Sequence, residues 1–151
     1  MFTLVPSQFF NPAAAREALA EVGTLKEGAT VEYLDIPQYD AVLVYDKDGD
    51  SVVDDTPPIY AILSRLPDCP EYNKILCGML DDRLYLAVAQ GKSLLLANSF
   101  PARDFTTAEY FIFLSLNSLQ LFRSRDGASG AGRCDRLEGR GCRRTPRHSA
   151  I

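Results

Sequence analysis

Tyr72-Asn-Lys-Ile-Leu-Cys-Gly-Met-Leu80, Leu84-Tyr-Leu-Ala-Val-Ala-Gln90 and Ser93-Leu-Leu-Leu-Ala-Asn-Ser-Phe100 are apolar runs separated by very tight turns, Asp81-Asp82 and Gly91-Lys92. Gly91 adopts a positive φ without steric penalty, so Gly91-Lys92 suits a two-residue hairpin whose twist matches its strands. The pattern predicts an antiparallel three-strand meander. Apolar residues occupy both alternating sets of the middle run, Leu84, Leu86 and Val88 on one and Tyr85, Ala87 and Ala89 on the other. Both faces of this strand are therefore expected to be covered.

Outward from the meander, helices and strands alternate. Thr56 is expected to cap a helix with Pro57 at its first position, and Ile59, Ile62, Leu63 and Leu66 form an apolar stripe at i, i+3, i+4 and i+7. Pro67 and Pro70 end it. After the meander, Thr106 with Glu109 has the spacing of a capping box, with Phe105 stapled onto Tyr110. The helix is expected to run to Phe122, buried because its first turns are apolar on nearly every side. Towards the start, Phe2–Val5 reads as a short strand. Asn11-Pro12 opens a helix with Ala15, Ala18, Leu19 and Val22 on one face and Gly23 as its stop. Ala29–Ile36 and Ala41–Asp46 are expected to pair as a hairpin.

A chain of 151 residues with 46% hydrophobic and 24% charged residues suits one globular α/β domain. Its net charge of −4 conceals a split. Residues 1–122 hold eight basic against seventeen acidic side chains, and residues 123–151 hold eight Arg against three acids. The acidic body disfavours nucleic acid and anionic membranes as partners. No run reaches the roughly 18–20 apolar residues of a membrane span. With no secretory signal in Met1–Phe10, Cys69, Cys77, Cys134 and Cys142 are expected as reduced thiols in the cytoplasm, with Cys77 a small core residue.

Residues 124–151 carry no Lys, no aromatic residue and hardly any large aliphatic, so a disordered tail is expected over 123–151. One reading is an arginine–glycine tail for nucleic acid, centred on Glu138-Gly-Arg-Gly-Cys-Arg-Arg144. The favoured one is a frame slip, because Arg, Gly, Ser, Pro, Ala and Cys are what GC-rich DNA encodes out of frame. His148, the one histidine, lies there without a partner. This excludes a Ser–His–Asp or Cys–His nucleophile system and a zinc ligand set.

Asp46-Lys-Asp-Gly-Asp-Ser-Val-Val-Asp-Asp55 resembles a Ca²⁺ loop, but its glycine stands at position 4 and Pro57 at position 12, so a solvated acidic loop is expected. Gln90-Gly-Lys-Ser93 ends like a Walker loop, yet Leu86 stands where the first glycine belongs and a strand follows. The remaining candidates are Asp81 and Asp82, paired carboxylates at a strand-to-strand turn. One reading is that they coordinate Mg²⁺ beside a nucleotide phosphate; more often such a pair simply forms a polar turn.

Thr3-Leu-Val-Pro6, Ala41-Val-Leu-Val-Tyr45, Glu71-Tyr-Asn-Lys-Ile-Leu76, Ala87-Val-Ala-Gln-Gly-Lys-Ser93 and Asp104-Phe-Thr-Thr-Ala-Glu-Tyr-Phe-Ile-Phe113 together resemble an uncharacterised Bacteroidetes protein family with the actin-like ATPase fold. The resemblance covers residues 1–122. It implies a fold of two ribonuclease-H-like halves, of which this chain holds part, and a longer parent of which this chain is a truncated product. It implies no established activity. In actin-like ATPases the hairpin between the first two meander strands carries an Asp-x-Gly phosphate motif. Leu80-Asp81-Asp82-Arg83 has acids but no glycine there, and two bare carboxylates repel a triphosphate. The leading expectation is a non-enzymatic cytoplasmic scaffold that binds an unknown protein partner or itself, with no cofactor. The alternatives are an ATPase using Asp81 or Asp82 to hold Mg·ATP, and nucleic-acid binding through the tail.

Overall fold

The computed structural model describes residues 1–49 and 55–121, and the backbone of Arg133–Arg136. Residues 50–54, in the acidic loop, and the remainder of the tail lie outside the described residues. Strands β1 (Phe2–Pro6), β2 (Val31–Ile36) and β3 (Ala41–Asp46) form an antiparallel sheet in the order β1-β3-β2. The expected hairpin is β2-β3, closed by a 3-10 turn over Pro37–Tyr39 and by Asp40 in the left-handed region. β3 is central and buried along its whole length, and its alternation divides the core. Val42 and Val44 pack on Ala15 and Leu19, while Leu43 and Tyr45 join a second cluster on the opposite face.

Helix α1 (Ala15–Ala20) follows a 3-10 turn at Pro12–Ala14, and the Asn11 side chain accepts the Ala13 N–H at 3.0 Å. It is shorter than expected. Val22 is 57% exposed, off the packed face, and Gly23 stands beyond the helix end rather than at it. Helix α2 (Pro58–Arg65) buries Ile59, Ile62 and Leu63, with Leu66 just beyond. It starts one residue later than Thr56 and Pro57 suggest. Pro57 is held extended (φ −71°, ψ 142°) because the ring of Pro58 disfavours helical backbone in the residue before it.

The second sheet contains the meander: β4 (Asn73–Leu80), β5 (Arg83–Gln90) and β6 (Ser93–Pro101), all antiparallel neighbours. As expected, β5 is covered on both faces. Leu84, Leu86 and Val88 pack with Cys77, Ala108 and Leu116, whereas Tyr85, Ala87 and Ala89 pack with Ile59, Ile62 and Leu63 of α2. A bulge between Val88 and Ala89, opposite Leu95, shifts the register of β6. Within the segment expected to be disordered, Arg133–Arg136 form β7, parallel to β4, and complete the order β6-β5-β4-β7.

Helix α3 (Phe105–Ser118) differs from expectation in three respects. Its cap is Asp104, not Thr106: the carboxylate accepts the Thr107 N–H at 2.7 Å and the Thr107 hydroxyl at 3.0 Å. It ends before Phe122, where Gln120 takes a left-handed φ of 57° after the helix. It is also only half buried. Ala108 and Leu116 pack against β5 and Ser115 is buried, while Phe105, Tyr110, Phe113 and Leu114 are 63%, 62%, 55% and 46% exposed. Apolarity all round does not bury a helix that has a sheet on one side only.

Several surface carboxylates are tied to the backbone or to a cation. Asp48 accepts the Thr30 N–H at 2.8 Å, and Glu32 accepts from Lys47 at 2.8 Å and from the Tyr45 hydroxyl at 3.1 Å. The Lys47 hydrogen bond holds the Glu32 carboxyl below the usual range, the Thr30 backbone does the same for Asp48, and the Thr107 N–H for Asp104. Glu32 in turn raises Lys47, and burial raises the Tyr45 phenol.

Three outcomes follow from this packing. Leu63→Ala and Leu86→Ala, each removing a fully buried side chain, are expected to cost about 2–5 kcal/mol in urea unfolding. The three carboxyls titrate lower folded than unfolded, so their stabilisation is present above roughly pH 4 and is lost as pH falls through the folded values. Lys47 acts at the other end, its contribution being lost as pH rises through its elevated folded value. Asp104→Asn keeps a capping oxygen without the titration and should make the acid-side fall in Tm shallower. Gly91→Ala should destabilise by about 1–3 kcal/mol, since Gly91 has φ +58° and an added Cβ would lie 3.1 Å from the Tyr72 ring.

Candidate functional site

Asp81 and Asp82 occupy the two central positions of the β4-β5 turn, with φ of 49° and 56° and Leu80 opposite Arg83. Two successive left-handed residues are the requirement of a type I′ hairpin, normally met by Asn-Gly or Asp-Gly. Aspartate tolerates the conformation because its short side chain can hydrogen-bond locally. The turn is thus of the kind that usually carries a glycine, with a carboxylate where the glycine's open face would be. Both residues are exposed. The Asp82 carboxylate lies 3.9 Å from Arg103 Nε, and this loose pair is in solvent, its side chains 70% and 88% exposed. The Asp82 carbonyl accepts the Ala102 N–H at 2.8 Å, which ties the end of β6 to the turn.

Beside this turn is a polar group that hairpin reasoning overlooked. Arg83 and Tyr85 are two apart on β5 and so share a face, and Ser99 of β6 stands opposite Tyr85. Arg83 Nη2 donates to Ser99 Oγ at 3.0 Å. The signal was available in the alternation of β5, where an arginine precedes the residues of the α2-facing set, but nothing in one strand reveals its neighbour.

The other motifs resolve into structural roles. Gly91 is the tip of the β5-β6 hairpin, its N–H donating to the Tyr72 carbonyl at 2.7 Å, and a strand follows, so no helix N-terminus meets a phosphate there. In the acidic loop the Asp46 carboxylate accepts the Asp48 N–H at 3.1 Å, and Asp55 lies 3.7 Å from Lys47. Among the described residues no group of three His, Cys, Asp or Glu side chains is placed to hold a metal ion. His148 and the arginine cluster Glu138–Arg144 lie outside the described residues. No helix among the described residues is long and apolar enough to cross a membrane.

No protein-family model matches the chain, and no curated protein does. A solved structure does: a Bacteroides thetaiotaomicron protein with actin-like ATPase fold and unknown function aligns with a TM-score of 0.63 at 17% identity, over 79% of this chain and 51% of that one. The chain spans about half the length of that neighbour. At this identity the likeness concerns the fold alone. The resemblance carried by the quoted residue blocks therefore holds, and the chain shares its architecture with part of an uncharacterised Bacteroides protein of actin-like ATPase fold.

Proposed function

We propose that this is a non-enzymatic cytoplasmic protein which uses an actin-like scaffold to bind a protein partner or a second copy of itself. The observation that carries this reading is the β4-β5 turn, whose two left-handed positions are filled by exposed aspartates. A phosphate-gripping hairpin needs backbone amides that a phosphate can approach and a glycine that leaves them uncovered. Here the approach is flanked by two carboxylates, whose charge opposes a triphosphate's own. The exposed outward side of α3, with Tyr110 and Leu114, supplies apolar surface of the kind that protein contacts use. A ribonuclease-H-like plan for the second sheet is supported by its order β6-β5-β4-β7, an antiparallel meander with a parallel strand on the far side of the first meander strand.

The test is nucleotide. With Mg·ATP at millimolar concentration the melting temperature should not move beyond the effect of matched salt. A rise abolished by Asp81→Asn with Asp82→Asn would establish the ATPase-type site instead, with those carboxylates holding Mg²⁺. For self-association, sedimentation across the micromolar range should give an average mass that falls in Leu114→Glu. A mass unchanged by that substitution would leave a different protein as the partner. The tail reading predicts salt-sensitive nucleic-acid binding that disappears on deletion of residues 124–151. An acidic body without such binding is the expected result.

A further inference from the structure

Strand β6 ends its sheet on one side, with β5 its one neighbour among the described residues, so its outer row of N–H and C=O groups faces away from the sheet. Such edges are ordinarily blunted by shortness, charge or proline. The other three edges follow that rule. β1 has five residues and ends at Pro6, β2 carries Glu32 and Asp35, and β7 has four residues, of which Arg133, Asp135 and Arg136 are charged. β6 does not follow it. Its nine residues include no Asp, Glu, Lys or Arg, and its one proline is the last of them, Pro101. The bulge leaves Leu95 37% exposed and Leu96–Pro101 in regular register. At Ser99 the N–H donates to the neighbouring Asn98 Oδ1 at 2.8 Å, a local bond that an incoming carbonyl can take over. Apolar surface continues from this edge onto α3. The Phe100 ring stacks on Phe111 with centroids 4.8 Å apart, and Phe111 meets Tyr110, which is 62% exposed, at 5.5 Å.

Charge selects what this edge can meet. Residues 1–122 hold seventeen acidic against eight basic side chains, so two copies repel over most of their surface and approach most easily where charge is absent. The two ends of β6 also differ. Before it, Lys92 at the hairpin tip is exposed and in no ion pair among the described residues. Beyond it stand the carboxylates of Asp81, Asp82 and Asp104 against the guanidiniums of Arg83 and Arg103, one negative charge in excess. An antiparallel strand of the same sequence sets Lys92 of each copy at the acidic end of the other, whereas a parallel one sets like ends together. We propose that β6 pairs antiparallel with β6 of a second copy across a two-fold axis, joining two sheets into one, with the Tyr110 side of α3 beside the seam. This rests on the self-association arm of the scaffold reading. It names the surface, the symmetry and a role for Asp81 and Asp82 in which no metal or phosphate takes part.

The experiment is sedimentation velocity of the full chain over about 1–100 μM, at low and high salt. A dimer that weakens as salt rises is expected. Lys92→Glu should weaken it about tenfold, and Leu95→Lys, which puts a cation on the edge, should abolish it. Asp81→Asn with Asp82→Asn should weaken the dimer of the parent but strengthen that of Lys92→Glu, a reversal of sign that a folding defect does not produce. A chain that stays monomeric to the top of that range overturns the inference and leaves the scaffold reading with a different protein as partner. A dimer indifferent to Leu95→Lys overturns it while self-association stands. So does a dimer on which the paired Asn substitutions act in the same direction in both backgrounds. The scaffold reading itself fails on a separate measurement, the melting shift with Mg·ATP.

Discussion

The structure depends on the burial of β5 from both sides. Leu84 to Ala89 are at most 2% exposed, so the run is closed to bulk water on both faces of the strand. Each face has a different closure. Helix α2 covers Tyr85, Ala87 and Ala89, and α3 covers Leu84, Leu86 and Val88. At roughly 1.5–3 kcal/mol for each large apolar side chain buried, this strand contributes more to the fold than any surface ion pair here. The Asp82–Arg103 pair, in solvent at 3.9 Å, is a local brace by comparison.

From β5 the constraint extends to the rest of the chain. The α2-facing cluster is not confined to the second sheet, since Ile36, Leu43 and Tyr45 of the first sheet belong to it. The Tyr45 hydroxyl donates to the Asp55 carbonyl at 2.9 Å, so a core residue of β3 also holds the approach to α2. The two sheets share one apolar interior through α2, with α1 and α3 closing the outer faces. A cavity lined by Lys26, Asp46, Arg83, Tyr85 and Ser99 is a consequence of that arrangement. Where the α2-facing side of β5 runs out of apolar residues, at its first position, a charged residue faces the other sheet instead of packing against it.

Helix α3 is apolar beyond what its own packing uses. Ala108 and Leu116, with Phe111, Ile112 and Leu119 packed beside them, close the β5 face, while Tyr110 and Leu114 are exposed. The aligned neighbour is about twice as long as the region it shares with this chain. An exposed aromatic helix is compatible with a scaffold whose work is contact with another polypeptide, which is the sense of the function proposed above.

The amino-acid sequence by itself determined the elements and their local chemistry. Alternation placed the meander and its doubly covered middle strand, and the stripe Ile59-Ile62-Leu63-Leu66 placed α2. Gly91 marked the β5-β6 hairpin, and Asn11-Pro12 marked the entry to α1. These signals are legible because each depends on residues a few positions apart. Tertiary structure decided what depends on distant neighbours. Thr106-x-x-Glu109 satisfied a capping rule, but Asp104 reached the Thr107 amide first, and apolarity could not say which side of α3 lacks a sheet. Asp81 and Asp82 were legible as a turn, though not as a type I′ turn with two left-handed carboxylates. The grouping of Arg83, Tyr85 and Ser99 with Lys26 and Asp46 was not legible at all, because it joins strands of two sheets. Periodicity reports which way a side chain points along its own strand, and only packing reports what it meets.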